Sequence, residues 1–199
     1  MEMTGEQMIP ASQQDTWQAM NDPEILKACV PGCESITRIG DNEYQVHMTA
    51  RVGPVSAKFR GRLTLFDIKA PDSYSLAFEG QGGAAGFAKG AAQVKLAAEA
   101  TNQTRLAYEV KANVGGKLAQ IGSRLVDAAA KKVADEFFQN FTRKMSPSLD
   151  DTTVKLQHEA EHHGPAQDPA MPSISNTTLM LFAAGALVVF IVALVAFFG

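Results

Sequence analysis

Four groups of residues carry types and spacings that chemistry uses. Gly80-Gln81-Gly82-Gly83-Ala84-Ala85 matches G-x-G-x-x-A, the pattern that brings backbone close to a pyrophosphate. Its context is wrong: an alternating, strand-like pattern follows where a helix is needed, and no βαβ unit surrounds it. No Gly-Lys-Ser/Thr follows any glycine-rich stretch, so a P-loop is absent too. Cys29 and Cys33 are spaced C-x3-C, not the C-x2-C of redox motifs, and the chain has just 2 cysteines. That is too few for a four-Cys zinc site, so turn and packing roles are expected, with both thiols reduced in a cytoplasm. His158, His162 and His163 would share one helical face, as metal ligands do, but the polar stretch around them has little to hold a helix. It reads as solvated.

Lys58, Arg60 and Arg62 form a basic row with alternate spacing. A nucleic-acid site needs many more cations with stacking aromatics beside them. A solvated face, or docking onto an acidic partner or lipid headgroups, are the two readings. His47 falls on the polar side of its strand pattern and is expected to be exposed. General acid–base catalysis needs titratable groups on the inside. The inward positions of the strand patterns from 44 to 114 hold no His, Asp, Glu or Lys, and their polar groups are Tyr44, Tyr74 and Tyr108. The chain is therefore not expected to be an enzyme.

Those residues sit in a chain of three unlike regions. Of 199 residues, the first 145 carry 17 Lys+Arg and 16 Asp+Glu, a net +1. The remainder carries one Lys and five Asp+Glu, a net −4, within an overall charge of −3. No basic excess exists to bind nucleic acid. Residues 146–178 hold Pro147, Pro165, Pro169 and Pro172 among acids, Ser and Thr, and are expected to be a disordered linker. Leu179 to Phe198 is 20 residues without a charged or polar side chain. As a helix it would cross roughly 30 Å of hydrocarbon. Gly199 alone follows, so insertion after synthesis is expected, as a single-pass C-terminal tail anchor. The start is acidic, with no apolar run behind it and no secretory signal pattern, so the domain is expected on the cytoplasmic side of the cell (inner) membrane.

Periodicity divides residues 1–145 further. Ile9-Pro10-Ala11 ends a short β-like start. Ser12 with Asp15 makes a capping-box-like opening for a helix to Met20, and Asp22-Pro23 opens a second, ending near Ala28 before Pro31-Gly32. Apolar residues then alternate through 44–52, 55–65, 74–78, 88–96 and 106–114, as half-buried antiparallel strands do. Turn signals at Gly40-Asp41-Asn42, Gly53-Pro54, Ala70-Pro71-Asp72 and Thr101-Asn102 separate several of them. After Gly115-Gly116 the period becomes helical: Leu118, Ile121, Leu125, Ala129, Val133, Phe137 and Phe141, with Gly122, Val126, Ala130, Ala134 and Phe138 as a second row. One amphipathic helix of about 28 residues is expected. The fold class is α+β: a curved antiparallel sheet gripping a long C-terminal helix, then the linker and one C-terminal transmembrane helix.

Local sequence sharpens this order. Asp15-Thr16-Trp17, Asn21-Asp22-Pro23-Glu24 and Cys29-Val30-Pro31-Gly32-Cys33 resemble the helix-grip (START-like, SRPBCC) superfamily. The Pro-Gly-Cys turn, Gly61-Arg62-Leu63, Pro71-Asp72, Gly80-Gln81-Gly82-Gly83 and Gly86-Phe87-Ala88-Lys89-Gly90-Ala91 resemble one branch, the CoxG family of carbon monoxide dehydrogenase subunits. The resemblance covers residues 1–145. It implies a noncatalytic domain with an apolar cavity between sheet and helix for a small hydrophobic ligand. It also implies membrane recruitment of a molybdenum-containing, carbon monoxide dehydrogenase-type hydroxylase and handling of its electron acceptor, a quinone (menaquinone or ubiquinone). No covalent cofactor and no nucleic-acid partner are expected. The inward positions from Ala84 to Ala98 are mostly Ala and Gly, which leaves volume for such a cavity unless the helix packs close there. Its expected lining is Phe59, Leu63, Tyr74, Leu76, Phe78, Phe87, Ala92, Val94, Tyr108, Leu118, Ile121 and Leu125. A purely structural membrane anchor or assembly factor for the enzyme, with no ligand, is the alternative.

The patterns end by Met145, so deleting residues 171–199 should leave a soluble, folded domain. Circular dichroism checks this: a native-like, cooperatively melting spectrum is expected, and an unfolded or aggregated product would place the domain boundary elsewhere.

Overall fold

The computed structural model describes residues 1–52 and 55–146. The Gly53-Pro54 turn, the expected linker beyond Ser146 and the apolar segment 179–198 lie outside the described residues. Strand β1 (Glu2–Ile9) leads to helices α1 (Gln13–Met20) and α2 (Pro23–Cys29). Then come β2 (Cys33–Arg38), β3 (Glu43–Val52), β4 (Val55–Lys69), β5 (Ser73–Gln81), β6 (Phe87–Ala100) and β7 (Gln103–Gly115). A four-residue α3 (Lys117–Gln120) and the 23-residue α4 (Ser123–Met145) follow. Among the described residues no helix is long and apolar enough to cross a membrane.

Both short helices start where their caps dictate. The Ser12 hydroxyl accepts from the Asp15 N–H at 3.1 Å and donates to its carboxylate at 2.6 Å. Asp22 accepts from the Glu24 and Ile25 N–H groups at 2.8 and 3.3 Å, with Pro23 at the first helical position. The seven strands form one antiparallel sheet, ordered β1-β7-β6-β5-β4-β3-β2. Cross-strand register lines the apolar alternation into rows. Tyr44, Leu63, Phe78, Gly90 and Ala112 make one; Leu65, Leu76, Ala92, Val110 and Met3 another; Tyr74, Val94 and Tyr108 a third. Strand β2 is short, and a bulge between Cys33 and Ser35 shifts its register.

Helix α4 covers the apolar face. Val126, Ala130, Val133, Ala134, Phe137, Phe138 and Phe141 are buried along one stripe. Phe138 stacks on Tyr108 of β7 with centroids 5.4 Å apart, and Phe137 lies between Phe138 and Phe141 at 5.1 and 5.6 Å. Each buried Phe stabilises the domain by about 1.5–3 kcal/mol. Asn140 donates to the Cys29 carbonyl at 3.1 Å, fastening α4 to α2. Gln13 of α1 donates to the Leu96 carbonyl and the Asp72 carboxylate, each at 3.0 Å.

The single 28-residue helix read from periodicity is instead two. Gly122 sits at φ +94°, in the left-handed region that an α-helix cannot contain, so α3 ends before it and α4 begins after it. The apolar period runs through Gly122 because its missing side chain is silent about the break. Ile121 is half-buried and Leu125 is 53% exposed, so the covering stripe starts at Val126.

Gly86, between β5 and β6, has φ +123°, and a Cβ there would lie 2.0 Å from the Gly115 carbonyl oxygen. Both conflicts are with backbone, which cannot swing aside. Gly86→Ala should therefore destabilise the domain by about 2 kcal/mol or more. The urea midpoint measures it, and a midpoint within error of the wild type would refute this close approach of the two loops.

Candidate functional site

The enclosed face between sheet and α4 brings together most of the residues expected to line a cavity. Leu63, Leu76, Val94 and Leu118 are fully buried, and Phe59, Tyr74, Phe78 and Ala92 nearly so. Tyr108 is half-buried, its ring stacked on Phe138. Phe87 and Leu125 do not join them. Phe87 opens β6 on the outer face, paired with Gln81 and Gly115, and is 39% exposed. The parity of its own strand shows this, since Ala88 and Gly90 point inward. Leu125 precedes the covering stripe of α4.

The small residues of the β6 wall are partly taken up by rings. A Cβ on Gly90 would meet the Lys111 carbonyl oxygen and, at 2.6 Å, the tip of the Phe78 ring; one on Gly82, just ahead of the turn that leads into β6, would overlap the Phe59 ring. Each glycine is thus the seat of an aromatic side chain. Ala88 and Ala92 remain as the small buried positions of that strand between Phe87 and Val94.

The buried side-chain oxygen groups on this face are hydroxyls. Among the described residues the buried polar ones are Thr16 and Thr104, to which the tyrosines add their phenols. Thr104 donates to the Ala11 carbonyl at 2.9 Å. The Tyr74 hydroxyl and the Thr16 hydroxyl are buried with no hydrogen-bond partner among the described residues. Tyr74 is spotted in the sequence by its inward parity; Thr16 is not, because a threonine inside a helix gives no sign of whether its hydroxyl turns back to the chain. Burial raises the phenol of Tyr44 to about 12, pushes that of Tyr74 well above 10 and also raises that of Tyr108. These groups stay protonated at physiological pH and serve as hydrogen-bond donors, not bases.

The outer face holds the charge. Lys58 pairs with Glu34 at 3.1 Å, and the Thr49 hydroxyl donates to the same carboxylate at 2.7 Å. Arg60 and Arg62 are exposed and make no ion pair among the described residues. Register places Arg62, Glu79, Lys89 and Asn113 side by side across β4 to β7. With Thr64, Ala77, Phe78 and Gly90 they line an open depression of about 480 Å³. The pairing register, which the sequence does not state, makes it. His47 departs from expectation: it is half-buried, with Nε2 buried and unpartnered among the described residues.

The other motifs resolve simply. Gly83–Ala85 forms a single 3-10 turn before β6, so the glycine-rich stretch opens a strand and not a phosphate-binding helix. Cys29 is buried and Cys33 half-buried, both as free thiols. Burial raises both thiol pKa values, that of Cys33 to about 11 against partial relief from Lys27. Neither is poised as a nucleophile. Among the described residues no cluster of three or more His, Cys, Asp or Glu side chains could hold a metal ion. His158, His162 and His163 lie outside them.

Comparison with known proteins adds a family and a fold. Residues 5–146 match the profile of the CoxG family of carbon monoxide dehydrogenase subunits. A conserved protein of Geobacillus kaustophilus has a crystal structure with TM-score 0.69 and 30% identity, covering 73% of this chain and 95% of that one. A START superfamily protein from Mycobacterium smegmatis aligns with TM-score 0.55 at 10% identity, over 72% of this chain and 96% of its own. Protein Ms6760 from the same organism aligns with TM-score 0.55 at 16% identity, over 74% and 91%. The last two show the fold alone: START-like. A search of the curated proteins finds no match.

The raised thiol and phenol pKa values set a direction for pH dependence. The ordinary values are 9.0 for Cys33 and 10.0 for Tyr44, and folding raises them to about 11 and about 12. The unfolded chain therefore loses these protons first, so their stabilising contribution is complete below pH about 9 and is lost as pH rises towards about 12. Denaturation midpoints should be insensitive to these groups near neutrality and fall above pH 9. Tyr44→Phe should flatten the alkaline limb; an unchanged limb would contradict the burial of that phenol.

Proposed function

We infer the function from one premise: the chain belongs to the CoxG family of carbon monoxide dehydrogenase subunits, matched over residues 5–146. It is a ligand-binding accessory of a carbon monoxide dehydrogenase, on a START-like fold. The finer reading is a membrane-tethered carrier. The domain takes a small hydrophobic molecule, a quinone of the menaquinone or ubiquinone kind, between the curved sheet and α4. Residues 179–198 hold it at the cell (inner) membrane, with residues 146–178 as the tether and the domain in the cytoplasm. Its enzyme partner is a molybdenum-containing hydroxylase, which it recruits to the membrane and couples to the quinone pool.

The single observation that carries the reading is the partition of the sheet. Its inner face is apolar with isolated hydroxyl donors, and its charges are on the other side. Such an interior shields an apolar molecule and orients it by a few polar contacts. Among the described residues its buried polar side chains are hydroxyls and not bases, which supports a binding role with the electron chemistry left to quinone and enzyme. The physical need is clear: an isoprenoid quinone does not cross water alone, so a shielding domain on a tether of 33 residues lowers the desolvation barrier between bilayer and enzyme.

One observation favours the plainer alternative, an anchor without a ligand. Phe78 and Phe59 seat on Gly90 and Gly82, which consumes interior space. Native mass spectrometry of the detergent-extracted full chain separates the two. The carrier should co-purify with a quinone. Ala92→Phe should remove that quinone while melting near the wild-type temperature, because the ring occupies ligand volume. An anchor with a filled core should yield no quinone, and Ala92→Phe should overpack it by about 1–3 kcal/mol.

A further inference from the structure

Tyr74 and Thr16 present an anomaly that the fold does not need. Tyr74 is 1% exposed and Thr16 is fully buried, and neither hydroxyl has a hydrogen-bond partner among the described residues. Buried polar atoms in folded proteins are almost always partnered. Phenylalanine at 74 would fill the same space without stripping a hydroxyl of water. The two residues come from elements that meet. Thr16 precedes Trp17 on α1, and the Trp17 ring packs edge-on against Tyr74 with centroids 5.6 Å apart. Gln13, one turn before Trp17, is fixed to Leu96 and to Asp72, two residues before Tyr74, so α1 is held firmly over this end of the sheet. The Thr16 backbone N–H is used normally, bonding to the Ser12 carbonyl at 2.9 Å, which leaves the side chain as the unsatisfied part. Across the sheet Tyr74 pairs with Val94, which is apolar and fully buried, and Val94 pairs in turn with Tyr108.

We propose that the Tyr74 hydroxyl, seconded by that of Thr16, is the hydrogen-bonding point for the polar end of the ligand, and that it selects a hydrophobic molecule bearing a carbonyl acceptor. This rests on the carrier reading and deepens it by assigning the end of the interior where the ligand's head lies: against α1, beside Trp17. The phenol remains a donor across the physiological range, since burial disfavours its ionisation. A hydrocarbon of the same shape would gain the apolar contacts and forgo the hydrogen bonding, so discrimination between the two comes from the hydroxyls, that of Tyr74 first.

Trp17 is the single tryptophan of the chain, so its fluorescence reports on this location alone. The test titrates the full chain in detergent with dimethylnaphthoquinone, whose substituted ring does not alkylate thiols, and with dimethylnaphthalene as the matched hydrocarbon. The wild type should bind the quinone with quenching of Trp17 and prefer it to the hydrocarbon. Tyr74→Phe should weaken quinone binding about three- to tenfold, the range of one neutral hydrogen bond, and leave hydrocarbon binding and the melting temperature unchanged or the latter slightly raised. Thr16→Val should act in the same direction. Equal weakening of both probes would mean lost packing and overturn the inference. So would a lowered melting temperature with unchanged quinone affinity, the mark of a buried water as the true partner of Tyr74. A wild type that takes both probes alike overturns the inference and leaves the carrier standing. A wild type that takes neither overturns both.

Discussion

A seven-stranded sheet with one apolar face must hide that face, and this chain has one helix long enough to do it among the described residues. The contact between α4 and the inner rows of β3 to β7 is the constraint from which the rest follows. It fixes the parity of every strand, because a slip of one residue would turn Leu63, Leu76 and Val94 to water and Arg62, Ser75 and Lys95 to the core. It fixes the length of α4, whose buried stripe runs from Val126 to Phe141. It also requires α1 and α2 to close the end that α4 does not reach, which is why Gln13 and Asn140 spend side-chain amides on distant carbonyls.

That division separates two kinds of work. The outer face carries charge, some of it paired as in Lys58–Glu34 and Arg105–Glu99, and some exposed, as at Arg60 and Arg62. Exposed pairs of this sort contribute little to stability, ~0–1 kcal/mol each, so the outer face is free to vary with its surroundings. The inner face carries the folding energy and a few hydroxyls. Among the described residues no carboxylate, lysine or histidine is fully buried there, and burial raises the thiol pKa values of Cys29 and Cys33.

Much of this is legible in the sequence alone. Ser12 and Asp22 announce their helices because capping is a local bond between neighbours. The strands announce themselves because burying one face imposes a period of two. What escapes has no local signature. Gly122 breaks the terminal helix through its backbone angle, and a residue without a side chain cannot disturb an apolar period. Phe87 is drawn inward by its type although its parity points out. The seats of Phe59 and Phe78 on Gly82 and Gly90, and the depression spanning Arg62 to Asn113, depend on register between strands. The isolation of the Tyr74 and Thr16 hydroxyls is a statement about what surrounds them, which no spacing contains.

The strand order leaves β1 and β2 as the two margins of an open sheet, each a row of backbone groups able to recruit a strand from another molecule. Both margins are blunted. On β1, Glu2 and Glu6 are exposed, so two copies approaching along that margin would oppose like charges. On β2, six residues and a bulge after Cys33 leave too short and too twisted a template for a neighbour to continue. Both features oppose the addition of an eighth strand from a neighbouring molecule, so the sheet edges disfavour edge-to-edge association.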